Sequence, residues 1–161
     1  MARLRSGLVC IGLTIGLTAC GIPSPDPSLW LADPADTCPS IDVSAAKADD
    51  LFVMSSSLPD CRDGAMTFTT FRSHRGPTFA QAELTGPEGE PAQSDRTRRF
   101  ADEDAWLRAI DAAVSAESGN AGMLAVYFHG YNNTYRDALE RGESVRRSFQ
   151  FAVPTVVVSW P

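Results

Sequence analysis

Residues 123–134 read MLAVYFHGYNNT, an unbroken apolar run followed by a polar turn. An apolar run of this length is typical of a strand buried in a parallel sheet. Thr134 and Asp137 then give the Thr-x-x-Asp start of a helix, and residues 155–160 (TVVVSW) form a second run of the buried type. Strand, helix and strand with short connections predict a right-handed βαβ unit.

Upstream of this unit, the periodicity predicts one helix and several short strands. Residues 102–116 carry apolar side chains at helical spacing and begin with three acidic residues, which favour the positive end of a helix dipole. The short runs at 51–54, 65–72 and 78–84 are typical of antiparallel strands. The segment from Thr85 to Thr97 is rich in Gly, Pro and Glu and predicts a surface loop. The predicted fold class is therefore α/β.

Three motifs follow one another in a fixed order: HGYN at 129–132, DAL at 137–139 and SWP at 159–161. Together with their strands, they resemble a bacterial family long catalogued as a domain of unknown function with the α/β-hydrolase fold. The resemblance is close over residues 123–161 and looser over 51–122. It implies the amino-terminal part of an α/β-hydrolase sheet, incomplete, with short antiparallel strands before the βαβ unit.

The resemblance also implies roles for the HGYN turn. In α/β-hydrolases the loop after this strand donates a backbone N–H to the oxyanion of the tetrahedral intermediate. Carried over, the donor is the backbone of Tyr131, and Gly130 allows close approach. His129 braces the loop by hydrogen bonding, and Asn132 either does the same or contacts substrate. The alternative is structural: Gly130 and Asn132 are turn formers, His129 is a satisfied buried ring and Tyr131 packs.

The catalytic groups of such enzymes are missing from the sequence. There is no Gly-x-Ser-x-Gly, Ser144 falls in mid-helix, Ser159 matches an inert position, and neither His74 nor His129 lies where the family has its base. We therefore expect an inactive amino-terminal fragment of an extracytoplasmic serine hydrolase, whose full-length parent acts on a small-molecule ester or a related acyl compound. In such a fragment the strand at 123–128 becomes an open edge. The alternative is a complete, non-catalytic envelope lipoprotein with a binding or structural role.

The amino terminus predicts export and lipidation. Arg3 and Arg5 precede a short apolar run, and the following Leu-Thr-Ala-Cys20 resembles a bacterial lipobox. This implies a signal peptide over residues 1–19, a lipidated Cys20 with a linker to residue 50, and a partial hydrolase domain over 51–161. The lipid anchor would hold the protein on the membrane, outside the cytoplasm (in the outer membrane or at the periplasmic face of a diderm cell). The alternative is an ordinary secretory signal with an incidental cysteine.

Charge and cysteine content limit the partners. The net charge of −6 argues against nucleic acid, because phosphate backbones attract basic proteins. Cys38 and Cys61 favour a disulfide in an oxidising compartment, with two unpaired buried thiols as the alternative. A metal site is a poorer alternative, since the sequence holds only two histidines, His74 and His129. We predict no metal and no cofactor.

Overall fold

The computed structural model describes residues 27–28, 37–62, 65–85, 93–116, 122–130, 133–149 and 153–161. A 3-10 turn at Val43–Ala45 precedes the first strand. The elements that follow are, in chain order, β1 Leu51–Ser55, β2 Ser57–Asp60, β3 Thr67–Arg72, β4 Thr78–Thr85, β5 Gln93–Arg99, α1 Glu103–Ala116, β6 Ala125–Phe128, α2 Tyr135–Arg147 and β7 Thr155–Ser159.

The main sheet has five strands in the order β5-β4-β1-β7-β6. Strands β1, β7 and β6 run parallel, while β4 and β5 are antiparallel to their neighbours. Strand β6 pairs with β7 in the register Phe128↔Val158, and α2 connects the two strands. The predicted α/β class and the βαβ connection from β6 through α2 to β7 are therefore confirmed.

Each face of the sheet packs against one helix. The alternation in β1 divides the core, because successive side chains of a strand point to opposite faces. Leu51 and Val53 face α2, whereas Phe52 faces α1. All three side chains are fully buried, which makes β1 the centre of the protein. Of the apolar residues of α1 predicted from its period, Val114 is partly buried and the others are buried: Ala105, Trp106, Ala109, Ile110 and Ala113.

A two-stranded sheet of β2 and β3 packs on the α2 side of the core. Cys61, at the end of β2, forms a disulfide with Cys38, with the two Cα atoms 5.1 Å apart. Both cysteines are buried in the same cluster as Leu51 and Val53. The predicted disulfide is confirmed.

Residues 37–50, which the sequence analysis places in the linker, contact the main sheet. Ile41 donates its N–H to the carbonyl of Arg99, and Arg99 donates to the carbonyl of Pro39, both at 2.9 Å. The Gln81 amide donates to the carbonyl of Lys47 at 2.8 Å. These contacts give the stretch before β1 a fixed place beside β5, while the domain boundary at residue 50 stays a prediction.

Two strands, β5 and β2, are not predicted by the sequence patterns. The loop predicted from Thr85 to Thr97 is wrong over 93–97, because residues 93–99 form β5. The run QSDRTRR has no apolar alternation, and an edge strand needs none when its neighbour β4 supplies the buried face. Strand β2, with sequence SLPD, follows a serine run that gives no strand signal and is too short to show a period.

Strand β6 lies at the edge of the main sheet within the described residues. The prediction of a strand buried on both faces is wrong for one face, since Val126 and Phe128 are 49% and 62% exposed. These residues pair with Val156 and Val158, which belong to the α1 side of the core. Helix α1 packs on the same face farther from β6, so among the described residues nothing covers the α1 side of β6.

Candidate active site

The HGYN turn begins at the carboxyl edge of the parallel strands. Strands β1, β7 and β6 end there at Ser55, Ser159 and Phe128. His129 extends the pairing by one step, because its N–H donates to the carbonyl of Val158 at 3.2 Å. Open α/β sheets bind their ligands at this edge, where the loops diverge.

The His129 side chain is 2% exposed and is held on both ring nitrogens. The backbone N–H of Trp160 donates to its Nε2 at 2.7 Å. Its Nδ1 lies 2.6 Å from the carbonyl oxygen of Gly130. The ring also stacks on the indole of Trp160, with centroids 4.2 Å apart and planes inclined by 23°. The imidazole thereby ties the turn after β6 to the end of β7.

Each ring nitrogen of His129 therefore has a backbone group within hydrogen-bond distance. Nε2 has two, since the carbonyl oxygen of Trp160 also lies 2.8 Å from it. With both nitrogens engaged by the backbone of Gly130 and Trp160, the ring is occupied as a brace and is poorly placed to act as a general base.

Gly130 sits at the point where the chain leaves the sheet. It is exposed, and its amide donates no hydrogen bond to any residue that the structure describes. A Cβ added there would meet Nδ2 of Asn133 at 3.3 Å, a tight contact with the tip of a side chain. Tyr131 and Asn132, the other two predicted oxyanion-loop residues, lie outside the described residues, and their roles stay predictions.

Helix α2 begins immediately after this turn with the predicted capping arrangement. The Thr134 hydroxyl accepts from the N–H of Asp137 at 3.2 Å, and the Asp137 carboxylate accepts from the Thr134 N–H at 2.8 Å. Hydrogen bonds from the Thr134 side chain and backbone lower the pKa of Asp137 below its usual value. The helix start is therefore fixed by a charged cap at an exposed position.

Tyr135, the first residue of α2, also anchors the helix to β5 and β3. The Tyr135 hydroxyl lies 3.0 Å from Oγ1 of the buried Thr97 on β5. Its ring meets that of Phe68 on β3 edge to face, with centroids 4.8 Å apart. The turn is thus held by His129 at its start and by Tyr135 at its end.

The serines of the described residues form no catalytic elbow. Ser55 and Ser159 are buried at the carboxyl edge, where the Ser55 hydroxyl accepts the N–H of Ser57 and the Ser159 carbonyl accepts the N–H of Ser56. Ser144 is exposed in the middle of α2. Within the same residues, no group of three His, Cys, Asp or Glu side chains is arranged to hold a metal ion.

Trp160 is the partner of His129 that the sequence analysis did not assign. A signal for it existed, because parallel neighbours bring equivalent positions together. The register Phe128↔Val158, continued two steps, places Gly130 beside Trp160. The Ser-Trp-Pro motif therefore belongs to the same local structure as the His-Gly pair.

A comparison with protein families agrees with this architecture. The model of a family described as "Alpha/beta hydrolase of unknown function (DUF900)" matches residues 103–161, which run from α1 through β7. The mixed five-stranded sheet with its helices is consistent with part of an α/β-hydrolase fold. Neither the curated proteins nor the solved structures gave a match to this chain.

Proposed function

We propose that this chain is the oxyanion-binding, amino-terminal part of an extracytoplasmic serine hydrolase that acts on esters or related acyl bonds. The observation that carries the proposal is the His129 brace, which holds Gly130 and the start of the HGYN turn at the carboxyl edge of the sheet. The brace fixes the start of the turn, and preorganised backbone N–H donors are what oxyanion stabilisation requires.

The nucleophile, acid and base are proposed to lie on a segment that packs against β6. The 161 residues contain no Gly-x-Ser-x-Gly. The open edge of β6, with Val126 and Phe128 exposed, offers the surface for a further strand and for a helix on the α1 side. By itself the chain is expected to be inactive.

This proposal is tested by the gene and by the chain. Reading the DNA beyond the codon for Pro161 should reveal an in-frame Gly-x-Ser-x-Gly, and a genuine stop with none downstream in any frame would contradict it. The purified chain alone should not hydrolyse p-nitrophenyl butyrate. Turnover by the chain would show that its catalytic groups are already present. It would contradict the proposal that they lie on a further segment.

The oxyanion role has its own test in the longer protein. Tyr131→Pro removes the backbone N–H proposed as donor, whereas Tyr131→Phe keeps it. We expect the proline variant to lose about 10²–10³ in kcat with little change in KM, and the phenylalanine variant to keep its kcat. Equal activity of both variants, with unchanged circular dichroism, would assign the turn a structural role only.

The proposed location is the cell envelope, with the acyl chains on Cys20 as the anchor. No helix among the described residues has the length and apolar character needed to cross a membrane. The disulfide between Cys38 and Cys61 fits an oxidising compartment. Labelling bacteria with tritiated palmitate should mark the protein, and Cys20→Ala should abolish the label. Cys10→Ala is the matched control, because the signal peptide that contains Cys10 is removed.

A second candidate is a non-catalytic envelope lipoprotein with a binding or structural role. It is favoured by the disulfide-linked region around β2 and β3, which contributes to the core on the α2 side. A stop codon after Pro161 with no Gly-x-Ser-x-Gly downstream in any frame would support this candidate. An in-frame Gly-x-Ser-x-Gly downstream would support the proposed hydrolase part instead.

A further inference from the structure

Among the described residues the main sheet has two edge strands, β5 and β6, and they differ in how they are protected. Strand β5 carries three arginines, and residues 39–41 cover its end through two backbone hydrogen bonds with Arg99. Charges and covering segments of this kind keep an edge strand from pairing with another chain. Residues 123–128 (MLAVYF) hold no charge and no proline, and no described strand or bridge lies on the free side of β6.

The free side of β6 presents backbone groups that the sheet does not use. Ala125 and His129 donate their N–H groups toward β7, at 3.0 and 3.2 Å, so the odd-numbered residues turn their backbone into the sheet. Because consecutive peptide groups of a strand point in opposite directions, Val126 and Phe128 turn their N–H and C=O groups away from β7. These groups are available to a further strand.

The exposed apolar side chains of this segment lie at the same positions. Leu124, Val126 and Phe128 are 40%, 49% and 62% exposed, whereas Ala125 and His129, which alternate with them, are buried. Side chains two residues apart on a strand share one face, so the three exposed side chains form a row along the open edge. A strand that covers this row must offer apolar side chains at the same spacing.

Strand β6 of a second copy meets this requirement. In an antiparallel pair, directly opposite residues point to the same face. A two-fold axis at Val126 sets this residue against its own copy, and sets Leu124 against Phe128 of the second copy. These positions share the outward backbone direction, so each opposite pair can exchange two hydrogen bonds. Residues 122–130 contain no Asp, Glu, Lys or Arg, so no like charges from this segment meet across the axis.

We propose that two copies of this chain pair through β6 into a symmetric dimer, with Val126 on the two-fold axis and five strands of one continuous sheet from each copy. The pairing closes at two copies, because the other edge is protected by the arginines of β5 and by residues 39–41. With only three exposed side chains from each copy, the interface is small, below about 1,200 Å², and the dimer depends on protein concentration.

This inference goes beyond the proposed function, since it needs neither an oxyanion nor a catalytic segment. In a longer protein, the further segment proposed to pack on β6 and a second copy of the chain compete for the same edge. The dimer is therefore a property of the 161-residue chain and is measured on that chain.

Sedimentation equilibrium of the purified chain from about 1 to 500 μM tests the proposal, because this range brackets the affinity of a small interface. We expect a monomer–dimer equilibrium. Val126→Lys sets two like charges opposite each other across the axis and should weaken the dimer at least tenfold. Phe149→Lys is the matched control, since Phe149 is an exposed apolar residue beyond the end of α2 and outside β6. It should leave the dimer unchanged.

The two-fold symmetry is tested by mixing variants of opposite charge. Val126→Lys and Val126→Glu should each be monomeric at concentrations where the parent chain is dimeric. Their equimolar mixture should dimerise again, because lysine then faces glutamate across the axis. Recovery in the mixture shows that both variants are folded, and circular dichroism checks each one alone. Every sample has the same amino terminus, so association through the apolar run at 8–17 would not respond to these substitutions.

A parent chain that stays monomeric over this range, or an association that Val126→Lys and Phe149→Lys weaken equally, would overturn the proposal. Growth beyond two copies that Val126→Lys abolishes would show open-ended pairing and would contradict the closed dimer. A mixture that stays monomeric, although both variants keep the circular dichroism of the parent, would rule out the axis at Val126. None of these results decides the proposed hydrolase role, which the DNA beyond Pro161 and the Tyr131 variants test separately.

Discussion

The imidazole of His129 and the indole of Trp160 lie face to face with their centroids 4.2 Å apart, and the Trp160 backbone N–H donates to the same imidazole. The two residues follow adjacent parallel strands, β6 and β7. Their contact joins the turn after β6 to the residues after β7, which would otherwise leave the sheet edge independently. It is the feature on which the proposed oxyanion turn depends.

We predict that His129→Ala lowers the free energy of unfolding by about 2–3 kcal/mol, because it leaves a hydrogen-bonded backbone donor without its partner and opens a cavity. His129→Phe keeps the stacking but not the hydrogen bonds and should lose less. Urea unfolding followed by circular dichroism measures both. The exposed His74 supplies the control, and His74→Ala should stay within about 0.5 kcal/mol of the parent chain. Equal losses at His74 and His129 would contradict the bracing role.

Gly142 lies where α2 packs closely against β7. A Cβ at this position would overlap Cγ2 of Val157, a fully buried side chain of β7. Gly142→Ala should therefore destabilise the chain by about 1–3 kcal/mol, although alanine gains about 1 kcal/mol of helix propensity. Ser144→Ala, at an exposed position of the same helix, should not destabilise. A more stable Gly142→Ala protein would show that α2 packs differently.

Glu143 should make the stability of the folded chain depend on pH, with a loss of stability at low pH. Burial raises the pKa of this carboxyl, but hydrogen bonds from Arg146 and Arg147 outweigh it and leave the pKa below its usual 4.5. A lowered pKa means that the stabilisation is present above about pH 4.5 and is lost as the pH falls through the folded-state value. Glu143→Gln should cost about 1–2 kcal/mol at pH 7, the lower part of the range for charged hydrogen bonds because both arginines are partly exposed.

The measurement is urea unfolding at pH 7 and at pH 3 for the parent chain and Glu143→Gln. The difference between the two proteins should shrink at pH 3. Glu140→Gln, on the same helix but only partly buried, controls for the general effect of removing a negative charge. A difference that stays constant with pH would mean that Glu143 acts through packing.

Much of the fold was predictable because its central elements carry strong periodic signals. The apolar runs of β1 and β7 and the helical spacing in α1 place these elements correctly, and the Thr134–Asp137 pair marks the start of α2. Strand β5 was not predictable in this way, since three of its seven residues are arginine. Its position is set by pairing with the preceding strand β4 and by the bridge between Ser40 and Arg99, and the residues of β5 carry no alternating pattern that would indicate either contact.

The candidate site was predictable as a location but not as a set of contacts. The apolar run before His129 and the helix start after it place a turn at the carboxyl edge. The pairing of His129 with Trp160 depends on β6 and β7 being neighbours in a particular register, which the sequence suggests only through the order of its motifs.

The disulfide between Cys38 and Cys61 should contribute about 3 kcal/mol, as expected for a 23-residue separation in the chain-entropy account. It fixes the segment that pairs with Arg99, so reduction should loosen the edge of the sheet at β5. Urea unfolding with and without a phosphine reductant measures the effect in the parent chain. The double variant Cys38→Ala, Cys61→Ala should be destabilised and insensitive to reductant. A parent chain whose unfolding free energy changes by less than about 1 kcal/mol on reduction would show that residues 37–50 are held by packing and backbone hydrogen bonds alone.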